Sequence, residues 1–192
     1  DRCVVASLSV SVRRPRTPAT RALPVQEFDT PNAAAFSVIT NLVTPFWLLM
    51  LVPNEKFQAT VTEKVMRGNV SIIVCALVHL YIVGVGLTDA PFPEVAARLQ
   101  FFATEAIVKF SAMGEMRQYD SFVSEEWAHV LVWDLFAGRY VYLEGRDKYK
   151  GMPIKHSIFG CFALGPLGIL IHYLTTFVWE KSRPPEEETS SS

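Results

Sequence analysis

Three long stretches of this chain contain no Asp, Glu, Lys or Arg, and they constrain its fold more than any other feature. They cover residues 33–52, 70–87 and 157–178. A helix needs about 20 mostly apolar residues to cross the hydrocarbon core of a bilayer. Half of the 192 residues are hydrophobic and only 19% are charged, so little polar chain is left to cover three such helices in water. The pattern predicts membrane spans rather than core helices of a soluble domain.

A fourth apolar stretch, residues 122–143, differs from the others because it carries five ionisable side chains. These are Glu125, Glu126, His129, Asp134 and Arg139. A charge in hydrocarbon is costly, so such side chains usually face a partner, a cavity or a bound molecule. We predict that this stretch is a span and that functional residues lie on it.

Residues 94–116 have apolar side chains at helical spacing and charged ones on the opposite side. We predict an amphipathic helix that either lies in the membrane interface or packs on the ends of the spans. The predicted fold class is therefore an all-α integral membrane protein, with four transmembrane helices and one amphipathic interfacial helix. Four spans would place both termini on one side of the membrane.

The two ends of the chain have a different composition from the predicted membrane domain at 33–180. Residues 1–32 are rich in arginine and poor in acidic residues, which is typical of an organelle transit peptide or of a basic tail that touches lipid head groups. Residues 181–192 form a polar tail rich in Glu and Ser.

Charge and cysteine usage exclude several classes of function. The net charge of −1 provides no field to attract nucleic acid. Cys3, Cys75 and Cys161 are far apart in sequence, so neither a disulfide framework nor a cysteine-based metal site is predicted. The expected partners are the lipid bilayer and other membrane protein subunits, with no free metal site and no redox cofactor.

One short string within residues 122–143 resembles the signature of a known family. It contains Trp127, His129, Asp134, Phe136 and Arg139 at fixed spacing. With weaker matches near residues 48–54, 156–157 and 162–168, it resembles the neoxanthin synthase-like, abscisic-acid-deficient-type family of plastid and cyanobacterial membrane proteins. The resemblance covers roughly residues 36–176. It implies four spans, a plastid membrane and a connection with carotenoids.

The resemblance implies an enzyme hypothesis, in which violaxanthin is converted to neoxanthin. This isomerisation needs an acid to open an epoxide and a base to remove a proton. Asp134 is the candidate acid and His129 the candidate base, with Glu126 as its neighbour at i,i+3. On a straight helix Asp134 and His129 lie about 140° apart, so they cannot face one ligand. The structural alternative is that Asp134 and Arg139 form an ion pair within the bundle.

The competing hypothesis is an accessory subunit of a photosystem or light-harvesting complex. His79, His129 and His172 lie within predicted spans and are candidate ligands of chlorophyll magnesium, or else hydrogen-bond to neighbouring helices. We favour this hypothesis because no single helix offers an acid and a base on one face. The sequence thus predicts a multi-pass thylakoid membrane subunit that contacts xanthophyll or chlorophyll. A xanthophyll epoxide isomerase is the alternative, and whether the chain is an enzyme stays open.

Overall fold

The computed structural model describes residues 30–182, and these residues fold into eight helices without a strand. The prediction of an all-α chain is confirmed for this part. The predicted tails lie mostly outside it, since residues 1–29 and 183–192 are not described. The helices are α1 (Pro31–Leu51), α2 (Glu55–Arg67), α3 (Val70–Gly86), α4 (Phe92–Phe101, extended by a π-helical turn, Phe102–Ala106), α5 (Phe110–Met116), α6 (Asp120–Asp147), α7 (Lys155–Leu164) and α8 (Pro166–Ser182).

Helices α1, α3 and α6 form the centre of the bundle and pack against one another. Thr30 caps α1 by accepting a hydrogen bond from the amide of Ala33, and Pro31 occupies the first turn, where its missing N–H is not needed. We call the end of the bundle that holds Thr30 the upper end and the end that holds Leu51 the lower end. Chain direction alternates, so α3 runs upward and α6 runs downward.

The lower end of α1 is closed by α2, which folds back beneath it. The amide of Gln58 donates to the carbonyls of Leu49 (2.9 Å) and Val52 (2.7 Å), and the hydroxyl of Thr62 also donates to Leu49 (3.1 Å). The last carbonyls of a helix have no partner within it, so these bonds satisfy groups that would otherwise be stranded. Gln58 and Thr62 are buried for this reason.

The predicted span at residues 157–178 is not one continuous helix, because the chain reverses at Gly165. The φ angle of Gly165 is 57°, a left-handed conformation that favours glycine. The imidazole Nε2 of His156 lies 2.8 Å from the Thr175 hydroxyl, whereas a straight helix would separate these residues by about 28 Å. Helices α7 and α8 therefore form a tight antiparallel hairpin.

The tip of this hairpin reaches only the middle of the bundle. A Cβ atom placed on Gly165 would lie 2.6 Å from Oδ1 of Asp134, and Asp134 is halfway along α6. Both ends of the hairpin are thus at the lower end. With three full-length helices and one half-depth hairpin, the first and last described residues lie at opposite ends, unlike the prediction from four spans.

The four predicted spans are not confirmed. By length and apolar composition, α1 is the one described helix that could cross a membrane by itself, and α2 with α3 would be a second if their 47° bend is taken within one span. The predicted amphipathic helix at residues 94–116 is also divided, because α4 and its π-helical turn end before α5 begins.

Candidate functional site

An imidazole and a carboxylate from different helices meet in the upper half of the bundle. Nε2 of His79 on α3 lies 3.1 Å from Oε1 of Glu125 on α6, within hydrogen-bond distance. The helices α3 and α6 pack antiparallel, which brings together two residues that are 46 positions apart in sequence. The two side chains are partly buried, with 24% and 33% of their surface exposed. Such a pair can donate and accept protons at one place.

Glu125 borders a mostly apolar cavity of about 310 Å³ between α3, α4 and α6, and His79 lies behind it. Glu125 is part of its wall. The rest of the wall is mostly apolar, and includes Ile82, Val83, Leu99, Phe102 and Phe122. Phe102 and Phe122 contact each other with ring centroids 6.0 Å apart, so α4 forms a roof over the upper part of α6. A carboxyl group in an otherwise apolar cavity is a common arrangement for binding and for acid–base chemistry.

Arg98 adds a second polar group to the same cavity. Its guanidinium bonds to Asp89 (3.1 Å) and Glu94 (2.5 Å) and lies 4.6 Å from the centre of the Tyr119 ring. The hydrogen bond to Glu94 and the charge of Asp89 raise the pKa of Arg98 above its usual value, so the side chain stays charged. Its Nε atom is buried without a hydrogen-bond partner among the described residues.

The residues proposed from sequence as an acid–base set are not brought together. His129 lies against His79, with ring centroids 5.9 Å apart. Glu126 lines a different groove, beside Trp127 and Phe110. Asp134 lies lower on α6, next to the hairpin tip. The side that Asp134 shares with α7 and α8 is far around the helix from His129, as the sequence geometry indicated.

The predicted ion pair between Asp134 and Arg139 is not formed. The Nε atom of Arg139 instead donates to the carbonyl of Met66 at 2.6 Å, which ties α6 to the end of α2. Asp134 is directed toward the turn at Gly165. Residues five positions apart on a helix lie on different faces, so the two side chains contact different neighbouring helices.

The three histidines proposed as pigment ligands have different surroundings. His79 is occupied by Glu125, and His129 is exposed on the outer face of α6. His172 is completely buried, with Nε2 3.3 Å from Oε2 of Glu144, so no external pigment can reach it in this packing. Among residues 30–182, no cluster of His, Cys, Asp and Glu could hold a metal ion.

A larger cavity, about 820 Å³, is at the lower end and is lined by several charged side chains. Its charged side chains are mainly paired with one another. Arg67 bonds to Glu63 and Asp147, and Arg146 lies 2.8 Å from Glu55. Its guanidinium and carboxylate groups therefore form ion pairs with one another, and we interpret this cavity as a structural feature.

Sequence reasoning missed Glu125 and Arg98 as site residues. Glu125 was noted as ionisable, but its neighbour Glu126 was preferred because it stands at i,i+3 from His129. Glu125 stands at i,i+4 from His129, and this equally valid helical spacing was the signal that could have found it. Nothing in the spacing of α6 alone could reveal His79 as its partner.

The described residues thus define a class of protein, an all-α bundle in which the glutamate of a histidine–glutamate pair lines a mostly apolar cavity. The chain belongs to the ABA DEFICIENT 4-like family, whose model matches residues 34–172. It is similar to the chloroplastic protein ABA DEFICIENT 4 of Arabidopsis thaliana, with 29% identity over 143 residues. That alignment covers 74% of this chain and 60% of the relative, so the chain spans under two thirds of the relative's length. No solved structure matches.

Proposed function

We propose that this protein is a xanthophyll epoxide isomerase of a plastid membrane, acting in carotenoid metabolism. The observation that carries the proposal is the contact between His79 and Glu125, whose carboxyl group lines the apolar cavity. The sequence offered no clear acid–base pair on one face of a helix. A base on α3 next to an acid on α6 would provide such a pair, and this contact supports that assignment.

Membership of the ABA DEFICIENT 4-like family supports the connection with carotenoids, and the chloroplastic relative supports a plastid location. The photosystem-subunit hypothesis is not confirmed. The family match favours the epoxide isomerase over it, and no finding indicates chlorophyll.

The chemistry needs a proton to be given at one atom and removed at another. We assign the acid to Glu125, because its carboxyl group lines the cavity that would hold the epoxide. Its proton goes to the epoxide oxygen as one carbon–oxygen bond breaks. His79 takes the proton lost from the polyene carbon, and that electron pair forms the allene. Transfer along the 3.1 Å contact then returns the proton to Glu125. Substrate and product are isomers, so no oxidant or reductant is consumed.

The cavity suits the ring end of a xanthophyll. A volume of about 310 Å³ is enough for one substituted cyclohexane ring, and its apolar wall matches the methyl groups of that ring. The guanidinium of Arg98 lies in the wall of the same cavity, which would place a positive charge near a ring oxygen. The Arg98 charge would also stabilise negative charge on the oxygen as the bond breaks.

The function is tested by placing the purified protein in liposomes that contain violaxanthin and no other cofactor. We expect a product of unchanged mass with the allenic absorption spectrum of neoxanthin. Bound violaxanthin that persists unchanged, in a preparation whose pigment binding is saturable, would contradict the proposal.

We also propose that the bundle spans the bilayer. Large apolar side chains are exposed on the outer faces of α1, α3, α6, α7 and α8, where a soluble protein would need polar ones. Examples are Leu48, Leu80 and Leu174, which are 62%, 66% and 58% exposed. In this arrangement α1, α3 and α6 cross the membrane, and the α7–α8 hairpin enters and leaves from the lower side.

This topology predicts the side on which single cysteines are labelled by a membrane-impermeant maleimide. Starting from Cys3→Ser, with Cys75 and Cys161 buried, we expect Lys155→Cys and Ser182→Cys to react from the same side of sealed vesicles. Thr88→Cys, at the upper end of α3, should react from the opposite side. If residues 157–178 crossed the membrane as one helix, Lys155→Cys and Ser182→Cys would instead react from opposite sides.

A further inference from the structure

A row of aromatic side chains lies on the outer face of α6, directly below the cavity. The row consists of His129, Trp133, Phe136 and Tyr140. Spacings of four, three and four residues keep them within an arc of about 60° on a helix. Trp133 is 60% exposed and Phe136 is 47% exposed, so the row is not part of the core.

The rings of the row contact one another in sequence along the helix. The centroid distances are 5.9 Å from His79 to His129, 6.2 Å from His129 to Trp133, and 5.9 Å from Trp133 to Phe136. Aromatic rings at these distances interact favourably, which fixes their orientations. The result is a run of contacting rings from His79 to Phe136, with Tyr140 one helical turn further along the same face.

Each end of this face has a polar group. At the upper end, Phe122 and Glu125 lie on the same face of α6 and belong to the cavity beneath α4. At the lower end, the hydroxyl of Tyr140 lies 3.1 Å from the hydroxyl of Tyr173 on α8. Fifteen residues separate Glu125 from Tyr140, which is about 22 Å along a helix.

We propose that this outer face of α6 binds the polyene of the xanthophyll, with one ring in the cavity and the hydroxyl of the far ring at Tyr140 and Tyr173. The proposal rests on the isomerase function and names the substrate's binding mode. The rise of about 22 Å from the position of Glu125 to that of Tyr140 is of the same order as the length of a xanthophyll's conjugated chain, whose far hydroxyl lies on the ring beyond it. An acyl chain of a lipid is flexible and has no hydroxyl at its far end, so it would not use the tyrosine pair.

The stiffness of the ligand also fits the geometry. A conjugated chain has few rotatable bonds, so it loses little conformational entropy when it lies along a straight helix. Flat aromatic rings offer a large contact area to a flat polyene at low entropic cost. The hydroxyls of Tyr140 and Tyr173 then set how far the near ring enters the cavity, and this depth places its epoxide beside Glu125.

The test measures binding without relying on turnover. Purified protein in detergent is titrated with violaxanthin, and the induced circular dichroism of the polyene band and the quenching of tryptophan fluorescence are followed. Relative to the unsubstituted protein, we expect Trp133→Leu to weaken binding at least tenfold and the double variant Tyr140→Phe with Tyr173→Phe to weaken it three- to tenfold. Phe159→Leu, which removes an exposed ring from α7, serves as the matched control and should leave binding unchanged.

A violaxanthin ester in which both hydroxyls are blocked provides a second control. It should bind the unsubstituted protein about as weakly as violaxanthin binds the double tyrosine variant, with no further loss when ester and variant are combined. If Trp133→Leu fails to fold, the tyrosine variant and the ester decide the question, since removing two hydroxyls leaves the rings in place.

The outcomes separate this inference from the isomerase function. If turnover depends on Glu125 but xanthophyll binding is unchanged in the Trp133 and double tyrosine variants, the proposed polyene site is wrong. The isomerase function would still be supported. Binding that depends on those residues in a protein without turnover would support the polyene site and remove the function. If violaxanthin shows no induced circular dichroism, the outer face of α6 contacts only lipid and the proposed polyene site is wrong.

Discussion

Glu125→Gln is expected to lower the rate of epoxide isomerisation about 100-fold or more while leaving xanthophyll binding within about threefold. Gln keeps the shape of the side chain and its contact with His79 but has no acidic proton to give to the epoxide oxygen. General acid–base groups typically contribute factors of about 100 to 10,000 to a rate. The measurement is product formation in violaxanthin liposomes, together with the induced circular dichroism of bound pigment.

Glu126→Gln is the matched control, because it makes the same change one residue away. Glu126 lines the neighbouring groove with Trp127 and has no contact with His79, so its amide variant should retain nearly full activity. If Glu126→Gln loses activity and Glu125→Gln retains it, Glu126 is the catalytic carboxyl group, as the sequence analysis proposed. His79→Gln should reduce the rate as Glu125→Gln does, and combining the two should cost little more, since they act as one unit.

Gly168→Ala is expected to destabilise the protein by about 3 kcal/mol and to separate the two arms of the α7–α8 hairpin. A Cβ at this position would lie 2.5 Å from Sγ and 2.6 Å from Cα of Cys161, well inside the van der Waals distance. Part of this clash is with backbone, which cannot move aside as a flexible side chain can, and forced overpacking typically costs about 1–3 kcal/mol or more. The measurement is the midpoint of thermal unfolding in detergent.

The control for this substitution is Gly84→Ala on α3, where no atom lies within 4 Å of the added methyl group. Alanine there should raise stability slightly, because it is the better helix former by about 1 kcal/mol. A Gly168→Ala protein that unfolds at the same temperature as the Gly84→Ala protein would contradict the close approach of α7 and α8.

Much of the helical architecture was accessible from the sequence. Helix α1 covers most of the uncharged stretch 33–52, because Pro53 and Asn54 follow it as stop signals, while its start at Thr30 and Pro31 lies before that stretch. The hairpin was not predicted, although Gly165 and Pro166 were seen in the middle of the last stretch. Hydropathy measures whether a segment is apolar, and a hairpin buried against other helices is as apolar as a straight span.

The site was only partly predictable. The sequence directed attention to residues 122–143, where Glu125 and His129 both lie, but it paired residues along one helix. The partner of Glu125 is on α3, and helical spacing carries no information about which face of another helix packs against it. A helix packed on the ends of the spans was one of two predictions for residues 94–116, but an amphipathic pattern does not say which span it covers.

The depth of the hairpin has a further consequence for the lipid around the protein. Because the chain turns from α7 into α8 at mid-height beside Asp134, these two helices occupy only the lower half of the bundle. In a bilayer they would displace lipid from one leaflet and not from the other.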